Sequence, residues 1–508
     1  MQESPYSAKR LRRAGLYFAV GRVVTALLTL VVFATVARRL ALPDYGVYTL
    51  GLSVVELGIG LGAFGLDALM GRLLPEYRVA ASGVATSRLL AALASAQLAG
   101  IALGAVLLWG LASLIASWMA APALAEHLPA FALVLVLEGL ARIMRDQVLA
   151  GLLRQGEAQV VQLIRLVVML GLLAAHPGAG LADVVRYELT AAGSAAAVAL
   201  ALAAWHLRQQ HRRPAARADW TRPTWRAARH LAGYSYLNSV LWLVYSPHVI
   251  TLVVSRYAGV DAAALFGFAR GLSEQIRRYL PAEFFIGLIR PALVARYVQE
   301  HSVSQLMQRV HLILKLSLLA LMPIVAYAAA LGEALCAALS KGRMAAAGPV
   351  LLLLLVQHVP GSNRRFIDVV ANIVSRADIC VRAGLPLLFT PLAIAVVLRW
   401  QPVHGAWLAA AVMVAAELAY SLSAGVLFRR NGVAFTSLPP VSLARLAGYG
   451  VLTYGVLRWL PFPTQWAPPV PLAIGAVVAL LVTATAAWLL PILSSAEADQ
   501  FKRLLKSR

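Results

Sequence analysis

The segment Leu16–Ala37, LYFAVGRVVTALLTLVVFATVA, decides the fold class of this chain. It is an apolar run interrupted by a single charge, Arg22. About 20 apolar residues suffice for an α-helix to cross the hydrocarbon core of a bilayer. The run exceeds the core of a secretory signal peptide and lacks a small-residue cleavage site. We therefore expect a membrane helix that the chain retains.

Comparable apolar runs follow along nearly the whole chain. Its 508 residues are 60% hydrophobic and only 13% charged, with a mean hydropathy of +0.75, whereas a soluble domain has about 25% charged residues. We predict an all-α polytopic membrane protein with about 14 transmembrane helices. The predicted spans are residues 16–37, 46–70, 89–112, 130–150, 158–176, 183–207, 232–255, 262–289, 311–331, 347–372, 383–399, 405–428, 443–461 and 468–491.

One long basic linker, residues 208–230 (RQQHRRPAARADWTRPTWRAARH), separates six spans from the remaining eight. The simplest division gives two six-helix lobes and a C-terminal helix pair, and many transporters are built from such repeats. Arg39 and Asp44 after the first span are echoed by Arg256 and Asp261 after the seventh. The predicted domains are an N-lobe at 1–207, a cytoplasmic linker at 208–230, a C-lobe at 231–430, and the last two spans with a cytoplasmic tail at 431–508.

The chain is strongly basic, with 45 Lys and Arg against 22 Asp and Glu and a formal net charge of +23. If both termini are cytoplasmic, 27 of the basic residues fall in cytoplasmic segments and 7 in outside segments. This is the positive-inside bias of membrane proteins. The charge therefore indicates topology and contact with anionic lipid headgroups rather than with nucleic acid. We predict a multi-pass protein of the bacterial inner membrane with both termini cytoplasmic.

The sequence contains no pattern of a metal, cofactor or ATP site. Cys336 and Cys380 fall at opposite faces of the predicted membrane arrangement, so we expect no disulfide. No Cys/His cluster has metal-ligand spacing, and no G-x-x-x-x-G-K-[ST] loop occurs. We predict that the protein uses neither a metal nor a cofactor.

Eleven basic residues lie inside the predicted spans, where a charge at a helix centre costs roughly 2.5–3.5 kcal/mol. They must face protein or water rather than lipid. These residues are Arg22, Arg142, Arg145, Arg165, Arg186, Arg270, Arg277, Arg278, Lys315, Arg364 and Arg365. The acidic residues in the spans are Glu56, Asp67, Glu138, Asp146, Glu188, Glu274, Glu283, Asp368 and Glu417. The small basic excess predicts a mildly cationic passage, and the planar fork of arginine suits phosphate and carboxylate.

Many of these charges recur at helical spacing. Two spans carry four charges at offsets of 0, 4, 7 and 8, which places each set on one face of an α-helix. The two sets are Glu138, Arg142, Arg145, Asp146 and Arg270, Glu274, Arg277, Arg278. Smaller polar faces combine Glu56 with Asp67, Arg22 with Thr25 and Thr29, and Arg364 with Arg365 and Asp368. The simplest assembly points these faces at a common cavity. The structural alternative is that opposite charges merely neutralise each other between packed helices.

The seventh span adds an aromatic and polar stripe, Tyr234, Asn238, Trp242 and Tyr245, which either stacks on sugar rings or simply packs against a neighbouring helix. We assign no catalytic residue. The predicted substrate-binding residues are Arg22, Arg142, Arg145, Arg270, Arg277, Arg278, Arg365, Tyr234, Asn238 and Trp242. The predicted ion-coupling residues are Glu56, Asp67, Glu138, Glu274 and Asp368.

The segment after the first span resembles a known family. Residues 39–48, RLALPDYGVY, resemble the R-x-L-x-P-x-x-Y-G-x-Y pattern of polysaccharide exporters, and residues 65–67 (GLD) and 72–77 (RLLPEY) resemble the end of the second helix in that family. A later helix opens with residues 404–406, HGA, like the family's G-x-x-G-A. The family is that of the Wzx-type flippases of the multidrug/oligosaccharidyl-lipid/polysaccharide (MOP) superfamily.

The resemblance implies a two-lobed helical bundle that moves undecaprenyl-pyrophosphate-linked oligosaccharide from the cytoplasmic to the periplasmic leaflet by alternating access. It implies a lipid-linked glycan and the membrane as partners, with the polysaccharide polymerase machinery as a further candidate. Family members rely on cavity arginines and on acidic residues that couple to ions, but no fixed motif assigns those roles here. The residue assignments above therefore depend on spacing in this sequence.

Other functions remain open from the sequence. A drug/cation antiporter of the same superfamily would favour an acidic cavity, and a lipid II flippase is a third kind of transporter. A membrane glycosyltransferase or polymerase would need a large outside loop with catalytic groups. Since no predicted outside loop exceeds roughly 20 residues, we expect a transporter rather than an enzyme.

Overall fold

The computed structural model describes residues 8–212, 233, 236–237, 239–281, 283, 293, 297, 302–374, 376–433, 435–460, 469–494 and 497. Throughout these residues the regular structure is helical, with no strand. The chain forms two compact units, Met1–Ala264 and Leu265–Arg508. Most of the 208–230 segment lies outside the described residues, so the domain boundaries predicted around it stay predictions.

The first unit is built from nine α-helices among the described residues. They are α1 (Ala8–Arg39), α2 (Leu42–Gly62), α3 (Leu66–Ala80), α4 (Gly83–Gly110), α5 (Ala112–Trp118), α6 (Leu124–Arg142), α7 (Gln155–Ala175), α8 (Leu181–His211) and α9 (Pro247–Ala258). A π-helical segment, Ile143–Leu149, continues α6. Helix α9 packs against α2 and so belongs to this unit.

The second unit contains the remaining described helices. They are α10 (Val260–Arg277, which begins at the end of the first unit), α11 (Val303–Ser340), α12 (Gly348–Ile373), α13 (Ala377–Gly384), α14 (Thr390–Trp400), α15 (Gly405–Arg430), α16 (Pro440–Trp459) and α17 (Pro469–Leu489). Short 3₁₀ turns occur at Ala345–Ala347 and Leu385–Phe389. Helix α11 packs against α12, α16 and α17, and α12 also packs against α15.

Twelve helical segments of the described residues are long and apolar enough to cross a membrane, which confirms the predicted all-α polytopic fold. Two predicted spans are not among them. The 262–289 span lies partly outside the described residues, and the 443–461 span coincides with α16. Arg445 and several Gly and Tyr residues lower the hydropathy of α16. Elsewhere the outer surface is apolar, as shown by Leu27, Val106 and Leu422, which are 62%, 68% and 71% exposed.

Small side chains bring the helices of the first unit close together. Ala191, Ala195, Ala199 and Ala203 follow one face of α8 and are at most 1% exposed. This helix packs against α6 and α7. A stripe of alanines at this spacing allows close helix contact within a membrane, where van der Waals packing replaces the hydrophobic effect as the source of stability. The charged side chains of α6, α7 and α8 are thereby brought within reach of one another.

The 39–48 segment that carries the family resemblance joins α1 to α2. Arg39 donates from Nη1 to the carbonyl oxygen of His176 at 2.6 Å, just beyond the end of α7. Gly46 faces Val260 so closely that a Cβ atom would lie 2.5 Å from the Val260 carbonyl oxygen. Tyr48 points into the unit and is 7% exposed. The motif therefore fixes how α2 enters the bundle.

The Arg/Asp echo seen in the sequence has a local explanation. Arg39 and Arg256 each stand in the last turn of a helix, whereas Asp44 and Asp261 stand in the first turn of the next helix. A cation at a helix C-terminus and an anion at an N-terminus both interact favourably with the helix dipole. The two pairs thus mark equivalent helix junctions.

Candidate functional site

The first unit contains a line of alternating charges that begins on α2. Glu56 and Arg142 form a bidentate ion pair. Nη1 of Arg142 lies 2.8 Å from Oε2 of Glu56, and Nη2 lies 2.5 Å from Oε1. Parallel N–H···O bonds of this kind are the strongest geometry available to an arginine and a carboxylate. Nε of the same guanidinium donates to Oε1 of Glu138, one turn earlier on α6, at 2.7 Å.

The line continues through α7 and α8. Nε of Arg165 lies 3.0 Å from Oε2 of Glu138, although the two atoms lack the alignment of a hydrogen bond. Nη2 of Arg165 donates to Glu188 Oε2 at 2.8 Å, and the Tyr48 hydroxyl donates to Glu188 Oε1 at 2.6 Å. We call this set the charge ladder. Its members, in order, are Tyr48, Glu188, Arg165, Glu138, Arg142 and Glu56.

Exposure is greatest at the Arg142 and Glu56 end of the charge ladder. The side chains of Glu188 and Glu138 are 6% and 4% exposed, that of Arg165 is 20% exposed, and those of Arg142 and Glu56 are 29% and 33% exposed. One end is therefore enclosed among helices and the other reaches an open surface. A buried carboxylate is tolerated only when it is paired, and each glutamate of the ladder contacts at least one arginine.

A cavity of about 520 Å³ adjoins this open end. Its polar lining consists of Arg142, Asp67, Asp146, Gln97 and Gln147, and the rest of its lining is apolar. Asp67 Oδ1 accepts from Gln97 Nε2 at 2.8 Å and also accepts from Gln147 Nε2. Both aspartates therefore already have donors, since Asp146 accepts from Arg145 Nε and Nη2 at 2.7 and 2.8 Å.

The charges predicted to share one face of the fourth span divide at the π-helical segment Ile143–Leu149. Glu138 and Arg142 precede it and join the charge ladder. Arg145 lies within it and turns to Asp146 and Gln162 instead. A π-helix has a wider turn than an α-helix, so offsets of 7 and 8 counted at 3.6 residues per turn do not describe this stretch.

In the second unit the predicted charges contact separate neighbours. Arg270 Nε is 3.9 Å from Glu274 Oε1, so this i,i+4 pair is loose. The charged face of α12 divides among Glu283, Glu417 and Tyr420. The contacts are Arg365 Nε to Glu283 Oε1 at 2.8 Å, Arg364 Nη1 to Glu417 Oε1 at 2.7 Å, and the Tyr420 hydroxyl to Asp368 Oδ1 at 3.0 Å.

The other predicted site residues have varied settings. Arg22, Trp242 and Arg277 are half-buried and Arg278 is exposed, while Tyr234 and Asn238 lie outside the described residues. A common cavity for the arginines of both units stays a prediction. Within the part of the chain that the structure describes, no group of three or more His, Cys, Asp or Glu is placed to hold a metal ion.

Some members of the charge ladder and cavity were not assigned to a site from the sequence. Arg165 is the only charge in its predicted span, and Glu188 shares its span with Asp183 and Arg186 at offsets that form no stripe. Tyr48 belongs to the motif, yet its spacing does not reveal a carboxylate partner. Gln97, which is 1% exposed, could have been predicted as a site residue, since a lone amide in an apolar helix needs a polar partner.

The polysaccharide biosynthesis protein family matches the chain over residues 11–281, more than half of its length. The chain belongs to this family. The match confirms the resemblance carried by residues 39–48 and includes every member of the charge ladder. No curated protein matches the sequence.

Solved structures give the same picture of the fold. The lipid II flippase MurJ in an inward closed conformation is similar with a TM-score of 0.67 and 12% identity, covering 94% of this chain and 99% of that one. An inward-facing multidrug resistance MATE family transporter of the MOP superfamily has a TM-score of 0.59 and 12% identity, covering 81% and 98%. The chain thus has the polytopic fold of MOP-superfamily transporters.

Proposed function

We propose that this protein translocates an undecaprenyl-pyrophosphate-linked oligosaccharide across the bacterial inner membrane for the synthesis of a surface polysaccharide. The observation that carries the proposal is membership of the polysaccharide biosynthesis family by a chain whose fold is similar, over 94% of its length, to that of a lipid II flippase. Fold alone leaves the cargo open among several classes, whereas the family favours a glycan.

The charges of the first unit suit this cargo. A pyrophosphate headgroup is anionic and cannot cross hydrocarbon without a polar path. The Arg142 guanidinium lines a cavity together with two amides and two carboxylates, which are the groups that bind phosphate oxygens and sugar hydroxyls. The binding must also be weak enough for the headgroup to leave.

We propose that both termini are cytoplasmic and that the polymerase machinery receives the product. The candidates for ion coupling are Glu56, Asp67, Glu138, Glu274 and Asp368.

Reconstituted vesicles test the cargo directly. The purified full chain is placed in vesicles that contain the lipid-linked oligosaccharide, and an impermeant lectin reports how much glycan reaches the outer leaflet. We expect translocation by the wild-type protein and a loss of about tenfold or more in Arg142→Gln, because one charge-assisted phosphate contact is worth at least that factor. Asp183→Asn is the control, since its side chain is 44% exposed and forms its ion pair with Arg186 rather than with a member of the charge ladder.

The same vesicles separate the competing cargoes. Vesicles with lipid II or with a fluorescent organic cation replace the oligosaccharide in parallel assays. Transport of lipid II alone would assign the protein to peptidoglycan synthesis, and transport of the cation alone would make it a drug antiporter. Either result would overturn the proposed cargo.

A further inference from the structure

We infer that Glu56 is an internal, displaceable ligand of Arg142 and that the pyrophosphate group of the cargo takes its place during transport. The inference rests on the proposed function for the identity of the anion. It adds a specific device to that function, in which the chain's own carboxylate occupies the anion-binding face of Arg142 until a stronger anion arrives.

The charge balance of the ladder singles out Glu56. Glu188 pairs with Arg165, and Glu138 pairs with Arg142, at oxygen–nitrogen distances of 2.8 and 2.7 Å. These four groups are balanced without any further charge. Three glutamates against two arginines leave one carboxylate in surplus. Releasing Glu56 keeps the enclosed Glu138 and Glu188 with their arginines, whereas releasing either of those would take a buried carboxylate from its partner.

The geometry shows what the outer face of Arg142 accepts. Its two Nη atoms meet both oxygens of Glu56, at 2.8 and 2.5 Å, and its Nε is committed to Glu138. The fork formed by Nη1 and Nη2 binds a planar carboxylate and a phosphate edge equally well in shape. Glu138 holds the guanidinium in place, so the fork stays oriented when its outer partner changes.

The setting allows the exchange to take place. Glu56 and Arg142 are the most exposed members of the ladder, at 33% and 29% of their side chains, and Arg142 lines the cavity of about 520 Å³. The Glu56 side chain is more exposed than those of Glu138 and Glu188, at 33% against 4% and 6%, so its displacement disturbs the enclosed charges least. Of the neighbouring carboxylates, Asp146 is paired with Arg145, which limits its repulsion of an incoming anion.

This exchange would make binding both selective and reversible. A pyrophosphate carries more charge and more acceptor oxygens than a carboxylate, so it competes for the fork where a neutral sugar cannot. When the headgroup leaves, Glu56 returns and no bare arginine remains to hold it. Binding that is weakened by an internal competitor meets the requirement that cargo be released.

Inorganic pyrophosphate is the probe for the test, and calorimetry on the purified full chain in nanodiscs gives its affinity. We expect Glu56→Gln to tighten binding by about tenfold or more, since the competitor is weakened by at least one charge-assisted hydrogen bond. The gain must vanish when Arg142→Gln is also present. Glu56→Asp, which is too short to span both Nη atoms, gives a smaller gain and replaces Glu56→Gln if that variant does not fold.

Glu188→Gln is the matched control, because it removes the same charge from the same ladder without freeing Arg142. Equal tightening by Glu188→Gln and Glu56→Gln would refute the exchange and indicate a general electrostatic effect. Unchanged or weaker binding by folded Glu56→Gln would also refute it. In vesicles we expect Glu56→Gln to lower both the half-saturating cargo concentration and the maximal rate, because the headgroup is released more slowly.

The binding and transport assays judge the two ideas separately. If the wild-type protein moves the glycan and Glu56→Gln does not tighten pyrophosphate binding, the exchange is wrong and the function stands. If no glycan moves but Glu56→Gln tightens binding through Arg142, the proposed cargo is wrong and the anion exchange stands.

Discussion

At the scale of single residues, the enclosed end of the charge ladder depends on a neutral donor. Tyr48 is 7% exposed and the Glu188 side chain is 6% exposed, and their contact of 2.6 Å is a hydrogen bond to a charged acceptor. Glu188 already shares one arginine with Glu138. The Tyr48 hydroxyl therefore supplies the donor that a second arginine would otherwise have to supply.

Replacing Tyr48 by Phe tests this role. The change keeps the ring but leaves Glu188 Oε1 without its donor, and an unsatisfied buried acceptor costs about 1–3 kcal/mol. We expect a lower Tm for the purified variant in detergent. Tyr454→Phe is the control, since Tyr454 is 40% exposed. Equal Tm values for the two variants would show that the Tyr48 hydroxyl contributes nothing to stability.

Arg277 makes a contrasting residue-scale case on α10. It is half-buried, while the adjacent Arg278 is exposed. If Arg277 contacts the anionic part of the cargo, Arg277→Gln keeps hydrogen-bonding ability but lowers glycan export at normal protein abundance. Arg382→Gln provides the control with the same change of charge, since its side chain is 61% exposed and its ion pair is with Asp378. Surface glycan normalised to membrane protein decides the matter, and normal export in Arg277→Gln would refute an anion contact there.

Only part of the ladder could be predicted from individual residues. The i,i+4 spacing of Glu138 and Arg142 is visible in the sequence, and their contact of 2.7 Å follows from it. The Glu56–Arg142 pair joins positions 86 residues apart, and no periodicity relates them. Which carboxylate a given arginine meets depends on how α2, α6, α7 and α8 are rotated against each other, and that rotation is set by packing.

At the scale of elements, hydropathy predicts the helices well because a bilayer-spanning segment must satisfy its own backbone hydrogen bonds. It does not predict departures from the α-helical repeat. The π-helical segment Ile143–Leu149 has no apolar signature, yet it separates the contacts of Arg142 from those of Arg145. π-helical turns are frequent at functional sites, and this one borders the cavity through Ile143, Asp146 and Gln147.

The junction of α1 and α2 offers an element-scale prediction. A Cβ atom at Gly46 would lie 2.5 Å from both Cγ1 and the carbonyl oxygen of Val260, and the backbone atom cannot move aside as a side chain can. We expect Gly46→Ala to shift α2 and lower the Tm, by a cost of about 1–3 kcal/mol typical of overpacking. Gly171→Ala is the control, because nothing lies within 4 Å of its Cβ position.

An ion pair between α11 and Glu497, beyond the last described helix, gives a pH-dependent prediction. Lys315 on α11 is 6% exposed and donates to both oxygens of Glu497 at 2.8 and 2.9 Å. Burial raises the pKa of Glu497, but the hydrogen bonds from Lys315 and Ser494 and the positive charge of Lys315 together outweigh this and hold the pKa below its ordinary value. A carboxyl group with a lowered folded-state pKa stabilises the protein above its unfolded pKa, and loses that effect as the pH falls through the folded value.

We therefore expect the wild-type protein to lose stability on acidification below the ordinary range of a glutamate. Glu497→Gln should be less stable at neutral pH, and the difference between the two proteins should shrink as the pH falls. Tm measured across this range in detergent checks the prediction. A constant difference at all pH values would contradict it.

At the scale of the whole molecule, the distribution of charge makes the most definite statement about orientation. Of the 45 Lys and Arg, 27 fall in segments predicted to be cytoplasmic and 7 in outside segments. The sequence alone indicates the orientation, because Lys and Arg residues in short loops determine which side of the membrane those loops occupy after insertion. The helical structure alone carries no such direction, since a bundle can be inserted either way.

Cysteine labelling tests the orientation. With Cys336→Ala and Cys380→Ala as background, single cysteines are placed at Ser4, Arg217 and Ser507, which lie outside the described residues, and at Gly178, an exposed loop position with open space around it. An impermeant thiol reagent added to intact cells should label only the Gly178 variant, because that loop is predicted to be outside. Permeabilised cells should label all four, which controls for accessibility. Labelling at Ser4, Arg217 or Ser507 in intact cells would contradict the predicted topology, because it would place the labelled position outside.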